Sequence, residues 1–293
     1  MEVTLLGTGD TTGTPTVDCD CETCETAREP GEDLRRRLRE RGATVTRERG
    51  VERTRFSVHV RNERTGQSLL VDTSPDFRQQ FLREDLPVPD AVVCTHIHFD
   101  HLHGLGNLFR LTRSIPVHAA SKTDPETGES VAETIDRQYD YLGAVDVDGH
   151  APFESFAVAG FECRLVVVDH PPLSCYGLVV EDPETGAKLS ISGDTTYNIP
   201  ERSRDALEEP DLLLADGIVH AGFCESHPRG GKHPDESGTP RTFGTKHMTF
   251  EGARALADEL NATDHRLVHV SHFAPPEEAF APDCAVDGER FQL

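Results

Sequence analysis

The segment Thr95-His96-Ile97-His98-Phe99-Asp100-His101-Leu102-His103-Gly104 constrains this chain more than any other. It directly follows the apolar run of residues 91–95, which reads as a buried strand, so its side chains gather where a strand ends. Alternation along an extended chain puts His96 and His98 on one side. A turn then lets Asp100 and His101 face a second centre. Imidazole suits Zn, Fe or Mn, and carboxylate oxygens suit borderline to hard cations. A lone histidine is ordinarily a core or surface residue; four ligand-type residues within six positions point to metal instead.

The rest of the chain supplies many short strands. Apolar or β-branched runs bounded by turn residues occupy residues 3–9, 56–61, 68–72, 91–95, 161–168, 177–181, 189–192, 211–215 and 266–270. Helical patterns fall at 32–41, 102–113, 134–141, 201–208 and 249–260, the last opening on Thr249-Phe-Glu-Gly, close to a capping arrangement. Polar turns at 62–67 and 182–188 read as hairpin tips. Strands with interspersed helices and no repeat period predict an α/β sandwich of two sheets with outer helices, a single domain over 1–293. Residues 28–54, rich in Arg and Glu, read as a solvated excursion, and 222–246, rich in Gly, Pro and His, as an irregular loop, both expected as inserted or rim loops around the substrate.

Charge narrows the setting. There are 52 acidic residues against 29 basic ones, a formal −23, and only four of the basic residues are Lys. Spread along the whole chain, this balance fits a halophilic protein, whose self-repulsion is screened within ~3 Å in molar salt. It does not favour nucleic acid by general electrostatics. No apolar stretch approaches a membrane span and no signal peptide is visible, so a cytoplasmic location is expected. The opening Gly7-Thr-Gly-Asp-Thr-Thr-Gly13 lacks a Lys-Ser/Thr ending and is no P-loop.

His-x-His-x-Asp-His resembles the signature of the metallo-β-lactamase superfamily, which implies that fold: an αββα sandwich of two mixed β-sheets. The resemblance extends to three later strand ends. His170 follows Leu165-Val-Val-Val-Asp169, Asp194 follows Ser190-Ile-Ser-Gly193, and His269 closes Arg266-Leu-Val-His269. It implies that His96, His98 and His170 hold one metal, that Asp100, His101 and His269 hold another, and that Asp194 bridges them. Asp72, after Leu69-Leu-Val, resembles the family's buried aspartate that orients a ligand histidine. Two Zn or Mn ions so held can share a hydroxide and clamp an in-line displacement, which is hydrolysis.

Asp18-Cys19-Asp20-Cys21-Glu22-Thr23-Cys24 offers three thiolates, a structural zinc site short of one ligand. With Leu5-Leu-Gly-Thr-Gly9 and Gly13-Thr-Pro15, this cluster is similar to the N-terminus of the PhnP-like phosphodiesterases of the carbon–phosphorus lyase pathway. That resemblance implies His272, in His269-Val-Ser-His272, as fourth ligand. It also implies His247 as proton donor to the leaving alkoxide, a task suited to an imidazole. Asp216 has a counterpart in that branch without an evident role. His220, His227 and His233 read as loop residues.

The expected function is therefore a dinuclear metal-dependent phosphodiesterase, with His247, Asp100 and Asp194 as catalytic residues and a small cyclic phosphate as substrate. Alternatives on the same core are a tRNA 3′-processing nuclease and a thioester or lactone hydrolase. The chain shows no basic Gly-rich arm for tRNA, so nucleic acid is not the expected partner. Both a monomer and a homodimer are compatible with the sequence.

Overall fold

The computed structural model describes residues 1–45 and 50–293. Its first half contains β1 (Glu2–Gly7), α1 (Glu22–Arg28), α2 (Glu32–Glu40), β2 (Ser57–Arg61), β3 (Ser68–Val71), α3 (Phe77–Glu84), β4 (Ala91–Cys94), α4 (Phe99–Leu102), β5 (Ile115–Ala120), α5 (Val131–Tyr139) and β6 (Val145–His150). The second half contains β7 (Ser155–Val158), β8 (Phe161–Val168), β9 (Cys175–Glu181), β10 (Lys188–Ile191), α6 (Glu201–Leu207), β11 (Leu212–Asp216) and α7 (Phe223–Ser226). It ends with β12 (Gly231–Pro234), β13 (Pro240–Phe243), β14 (His247–Met248), α8 (Phe250–Glu259), β15 (Asp264–Val268), α9 (Pro276–Ala279) and β16 (Arg290–Gln292).

Two large sheets form the sandwich. The first runs β16-β1-β2-β3-β4-β5-β6 and the second β15-β11-β10-β9-β8-β7. Both are mixed: β1, β2 and β3 pair antiparallel while β3 to β6 pair parallel, and β7 to β10 pair antiparallel while β10, β11 and β15 pair parallel. β11 shows why the core is layered. Leu212 and Leu214 enter the core between the sheets, while Leu213 and Ala215 pack with Phe250, Ala253 and Leu256 of α8. A strand buried on both faces is apolar without a break, as this one is until Asp216 at its end. α8 starts where its sequence predicts: the Thr249 hydroxyl accepts from the Gly252 N–H at 3.1 Å.

Three expectations need correction. The helix predicted over 102–113 is absent; α4 is followed by a short 3-10 turn over Leu105–Leu108. Gly104 explains the break. Its N–H donates to the Thr73 carbonyl at 2.8 Å, and a Cβ there would lie 1.8 Å from the Ser74 carbonyl oxygen. The i, i+3 spacing of buried Leu102, Leu105 and Leu108 suits the tighter turn.

Segment 28–54 is not simply solvated, although residues 46–49 of it lie outside the described residues. α2 buries Leu34 and Leu38, and Arg53 is fully buried. Arg53 donates to the carbonyls of Ala285, at 2.7 Å, and Ala279, and lies over the Phe280 ring. Backbone acceptors make a buried guanidinium tolerable. This segment packs on the C-terminal part of the chain, and the metal cleft described below takes its lining from elsewhere.

Segment 222–246 is not wholly irregular either. It forms α7 and the hairpin β12–β13, which β14 extends into a third, small sheet. Among the described residues no helix is long and apolar enough to cross a membrane.

Candidate metal centre

The strands β8, β10, β11 and β15 run in one direction, so their carboxyl ends share one edge of the second sheet. His170, Asp194, Asp216 and His269 stand at those ends. The turn after β4 brings His96, His98, Asp100 and His101 to the same edge from the first sheet. Left-handed backbone on non-glycine residues occurs at one of these positions, His269 (φ 61°), and at Asp72 (φ 58°) just after β3, a strain held where function concentrates. Gly193 (φ 64°) gives Asp194 its approach, since a Cβ would sit 2.5 Å from the Tyr176 carbonyl oxygen.

The donor atoms fall into two clusters. In the first, His98 Nδ1 lies 3.0 Å from His96 Nε2 and 3.3 Å from His170 Nε2. In the second, His269 Nε2 lies 3.4 Å from Asp100 Oδ2, and His101 Nε2 lies 3.7 Å from that same oxygen. Asp194 Oδ2 stands between them, 3.7 Å from His96 Nε2 and 3.3 Å from each of His101 Nε2 and His269 Nε2. One carboxylate oxygen thus faces donor atoms of both clusters.

Neighbouring groups fix which nitrogen faces inward. His101 Nδ1–H donates to Asp72 Oδ2 at 2.7 Å, and Asp72 also accepts from the Thr95 N–H and hydroxyl. His170 Nδ1–H donates to the Lys246 carbonyl at 2.8 Å. Such partners lock tautomer and ring orientation for metal binding. His101 Nε2, turned toward both aspartates, is buried without a hydrogen-bond partner among the described residues. Asp72 stands directly after β3 and is fully buried.

The electrostatics also match a cation site. Burial drives His170 down to about 3 and His96 well below the ordinary imidazole range, so both are neutral ligands. For His101 burial acts in the same direction, but Asp194, Asp72 and Asp100 outweigh it and hold the ring well above that range. His269 is likewise raised to about 9, burial being overcome by Asp194 and Asp100. The buried carboxylates thus favour positive charge at these two rings, a demand that divalent ions would meet if held by the same donor atoms, releasing the protons. The donor set fits two metal ions.

His247 lies beside both clusters, its ring centroid 5.0 Å from His170 and 4.7 Å from His269, stacked on the latter. Its Nδ1–H donates to Asp216 Oδ2 at 3.0 Å. Asp216 also accepts from the Thr195 N–H at 2.8 Å, and burial raises its carboxyl despite the opposing His247. His98, Asp100, His170, Asp194, Lys246, His247, His269, Phe99 and Thr11 line a cleft of about 310 Å³.

Sequence reasoning missed Thr11 and Lys246. The Thr11 hydroxyl donates to Asp100 Oδ2 at 2.5 Å, and Lys246 contributes both its carbonyl and its place at the cleft. The glycine-rich opening segment was the available signal for Thr11, since glycines allow a loop to lie close to a site.

Residues 67–270 match the family described as the beta-lactamase superfamily domain, a span that holds most of the chain and all of the clustered histidines and aspartates. The chain belongs to the metallo-β-lactamase superfamily. That superfamily is mostly metal-dependent hydrolases. A solved diphosphatase from the PhnP family is 26% identical, with a TM-score of 0.71 over 100% of this chain and 96% of that one. The zinc-bound PqqB of Methylobacterium extorquens shares the fold at 21% identity and a TM-score of 0.71, covering 100% of both chains. An octanoyltransferase of Porphyromonas gingivalis is 26% identical over 94% of this chain, which spans 47% of that protein's length.

Within this superfamily fold, Cys19, Cys21, Cys24 and His272 form a separate cluster, their donor atoms all within 4.8 Å of one another. His272 Nδ1 lies 3.3 Å from Cys19 Sγ and 3.4 Å from Cys21 Sγ. Cys21 Sγ also caps α1 by accepting from the Cys24 N–H at 3.4 Å. The Cys21 backbone, followed by thiol contacts to Cys21 and Cys24, holds the Cys19 thiol below its ordinary value, while burial raises Cys24 to about 12. All the cysteines are free thiols, so the cluster is no disulfide.

Proposed function

We propose that this chain is a dinuclear phosphodiesterase acting on small cyclic phosphates, of the ribose cyclic phosphate or 2′,3′-cyclic nucleotide type. The observation that carries the reading is the Asp216–His247 pair set beside both metal-ligand clusters. Thioester cleavage expels a thiolate with little need of such a donor, whereas a phosphodiester, like a lactone, expels an alkoxide that must be protonated. The likeness to a PhnP-family diphosphatase supports phosphorus chemistry.

In this reading His96, His98 and His170 hold one ion, Asp100, His101 and His269 the other, and Asp194 both; Zn and Mn suit the donor set. Two such ions, when bound, polarise the phosphoryl group and activate water at neutral pH. The remaining work belongs to the chain's own groups. Asp216 holds the His247 Nδ1–H, so Nε2 is the nitrogen that gives its proton to the departing oxygen. Lys246 brings positive charge to an otherwise acidic protein where an anionic substrate enters. Thr11 holds Asp100 in orientation. Cys19, Cys21, Cys24 and His272 take a zinc with no open position, a structural site.

The test is turnover by metal-loaded protein in molar salt, which the acidic surface is proposed to need. The panel is bis-p-nitrophenyl phosphate, a 2′,3′-cyclic nucleotide, a thioester, a lactone and a 3′-extended tRNA. Small phosphodiesters should give the highest kcat/KM. Preference for the thioester or lactone would replace the reaction class, and preference for tRNA would replace the substrate class.

A further inference from the structure

A second kind of ligand cluster lies outside the cleft, on the outer strand of the first sheet. β5 and β6 pair in parallel, with His118 opposite Asp148 and Ala120 opposite His150. Asp148 and His150 are two residues apart, so they share a face, and the register delivers His118 to them. His118 Nδ1 lies 2.9 Å from His150 Nε2, and Asp148 Oδ2 lies 3.7 Å from the first nitrogen and 3.6 Å from the second.

We propose that His118, Asp148 and His150 form a further binding site for a borderline divalent cation, with zinc as the representative ion. Two imidazoles and one carboxylate are the donor set such ions take. For ligand bonds of about 2.0–2.1 Å in tetrahedral directions, donor atoms stand about 3.3 Å apart. The three separations observed bracket that value, so an ion enters with small side-chain adjustments.

Three further features favour it. The rings are already oriented: Phe156 stacks on His150 at 3.8 Å and 7°, and on His118 at 5.3 Å and 26°. Two ring nitrogens 2.9 Å apart cannot both carry protons, and burial, with His150 beside it, keeps His118 low and neutral, the form that binds metal. Asp148 is 62% exposed and leaves an entry path and open coordination positions for water. The place in the fold gives such an ion a consequence. β6 is the outer strand of the first sheet and Phe156 lies on β7, the outer strand of the second. An ion here ties β5 to β6 just where the chain passes between sheets.

The test adds Zn2+ by calorimetric titration to protein whose catalytic and cysteine clusters are already loaded. Wild type should take one further equivalent per chain. Imidazole nitrogen resonances should report His118 Nδ1 and His150 Nε2 as the bound atoms. His150→Ala should lose the equivalent. Asp148→Asn, at an exposed position that cannot unfold the protein, should lose or weaken it. No further equivalent in wild type, or one that survives unchanged in both variants, overturns the proposal.

Discussion

The Nδ1–H of His247 donates to Oδ2 of Asp216 at 3.0 Å, across 31 residues of sequence and from one strand end to another. Burial leaves Asp216 with one oxygen lacking any partner among the described residues, so His247 and the Thr195 N–H are its visible purpose. Asp216 is a positioning residue in this account. Asp216→Asn should lower kcat roughly tenfold or more while leaving both metals bound and KM little changed. Loss of metal, or an unchanged kcat with both metals bound, would remove Asp216 from this positioning role.

Asp194 reaches ligands of both clusters through a single oxygen. Asp194→Ala should reduce turnover to background and release ions from the histidine–aspartate clusters, with the cysteine zinc retained. Elemental analysis beside the rate assay checks this. Full metal content with full rate would remove Asp194 from the bridging role.

The cysteine cluster joins residues near one end of the chain to His272, 253 positions from Cys19. Four protein ligands would close a long loop, and the energy of binding a zinc would add to folding. His272 also stands three residues from His269, so a zinc here would steady the strand end that carries His269. Each kcal/mol lost costs about 2–4 °C in a chain of this size, and Cys21→Ser should lower Tm by roughly 10 °C. Activity per folded molecule at low temperature should survive. A stable but inactive Cys21→Ser protein would assign the cluster to the chemistry.

His59, on β2, is buried against Phe81 with both ring nitrogens lacking a partner among the described residues. Burial, then Arg61 and Arg290, lowers it from 6.5 to about 4. The unfolded chain therefore binds the extra proton between those values, and stability is lost as pH falls from 6.5 through 4. The full effect is on the order of 3 kcal/mol. His59→Leu should flatten this part of the denaturation profile between pH 6.5 and 4; an unchanged slope would mean that His59 is not the group responsible.

The positions of the clustered histidines and aspartates were legible because each follows an apolar strand in a recognisable order. His96 to His101 follow β4 within a few residues, and His170, Asp194 and His269 each close a run of β-branched or apolar residues. The partners those side chains meet were less so. Thr11 meets Asp100 across 89 residues and His247 meets Asp216 across 31, relationships set by packing rather than by local pattern. Arg53 misled for a related reason. Its charge reads as solvent-facing, yet two backbone carbonyls that only the folded C-terminal segment supplies accept its protons. The strands β5 and β6 escaped because Pro116, His118, Asp146, Asp148 and His150 leave no apolar run, His118, Asp148 and His150 being the same residues that create the His118 cluster, and β7 because Ser155-Phe-Ala-Val158 is so short.

The most direct test of phosphodiester hydrolysis with His247 as acid compares His247→Ala with wild type on two phosphodiesters. One expels p-nitrophenolate, which needs little protonation, and the other expels an alkoxide. With both metals retained, the account predicts a loss of ~10²–10⁴-fold on the alkoxide substrate and a much smaller loss on the p-nitrophenyl ester. Equal losses on both would contradict it and move His247 from proton donation to substrate binding or structure.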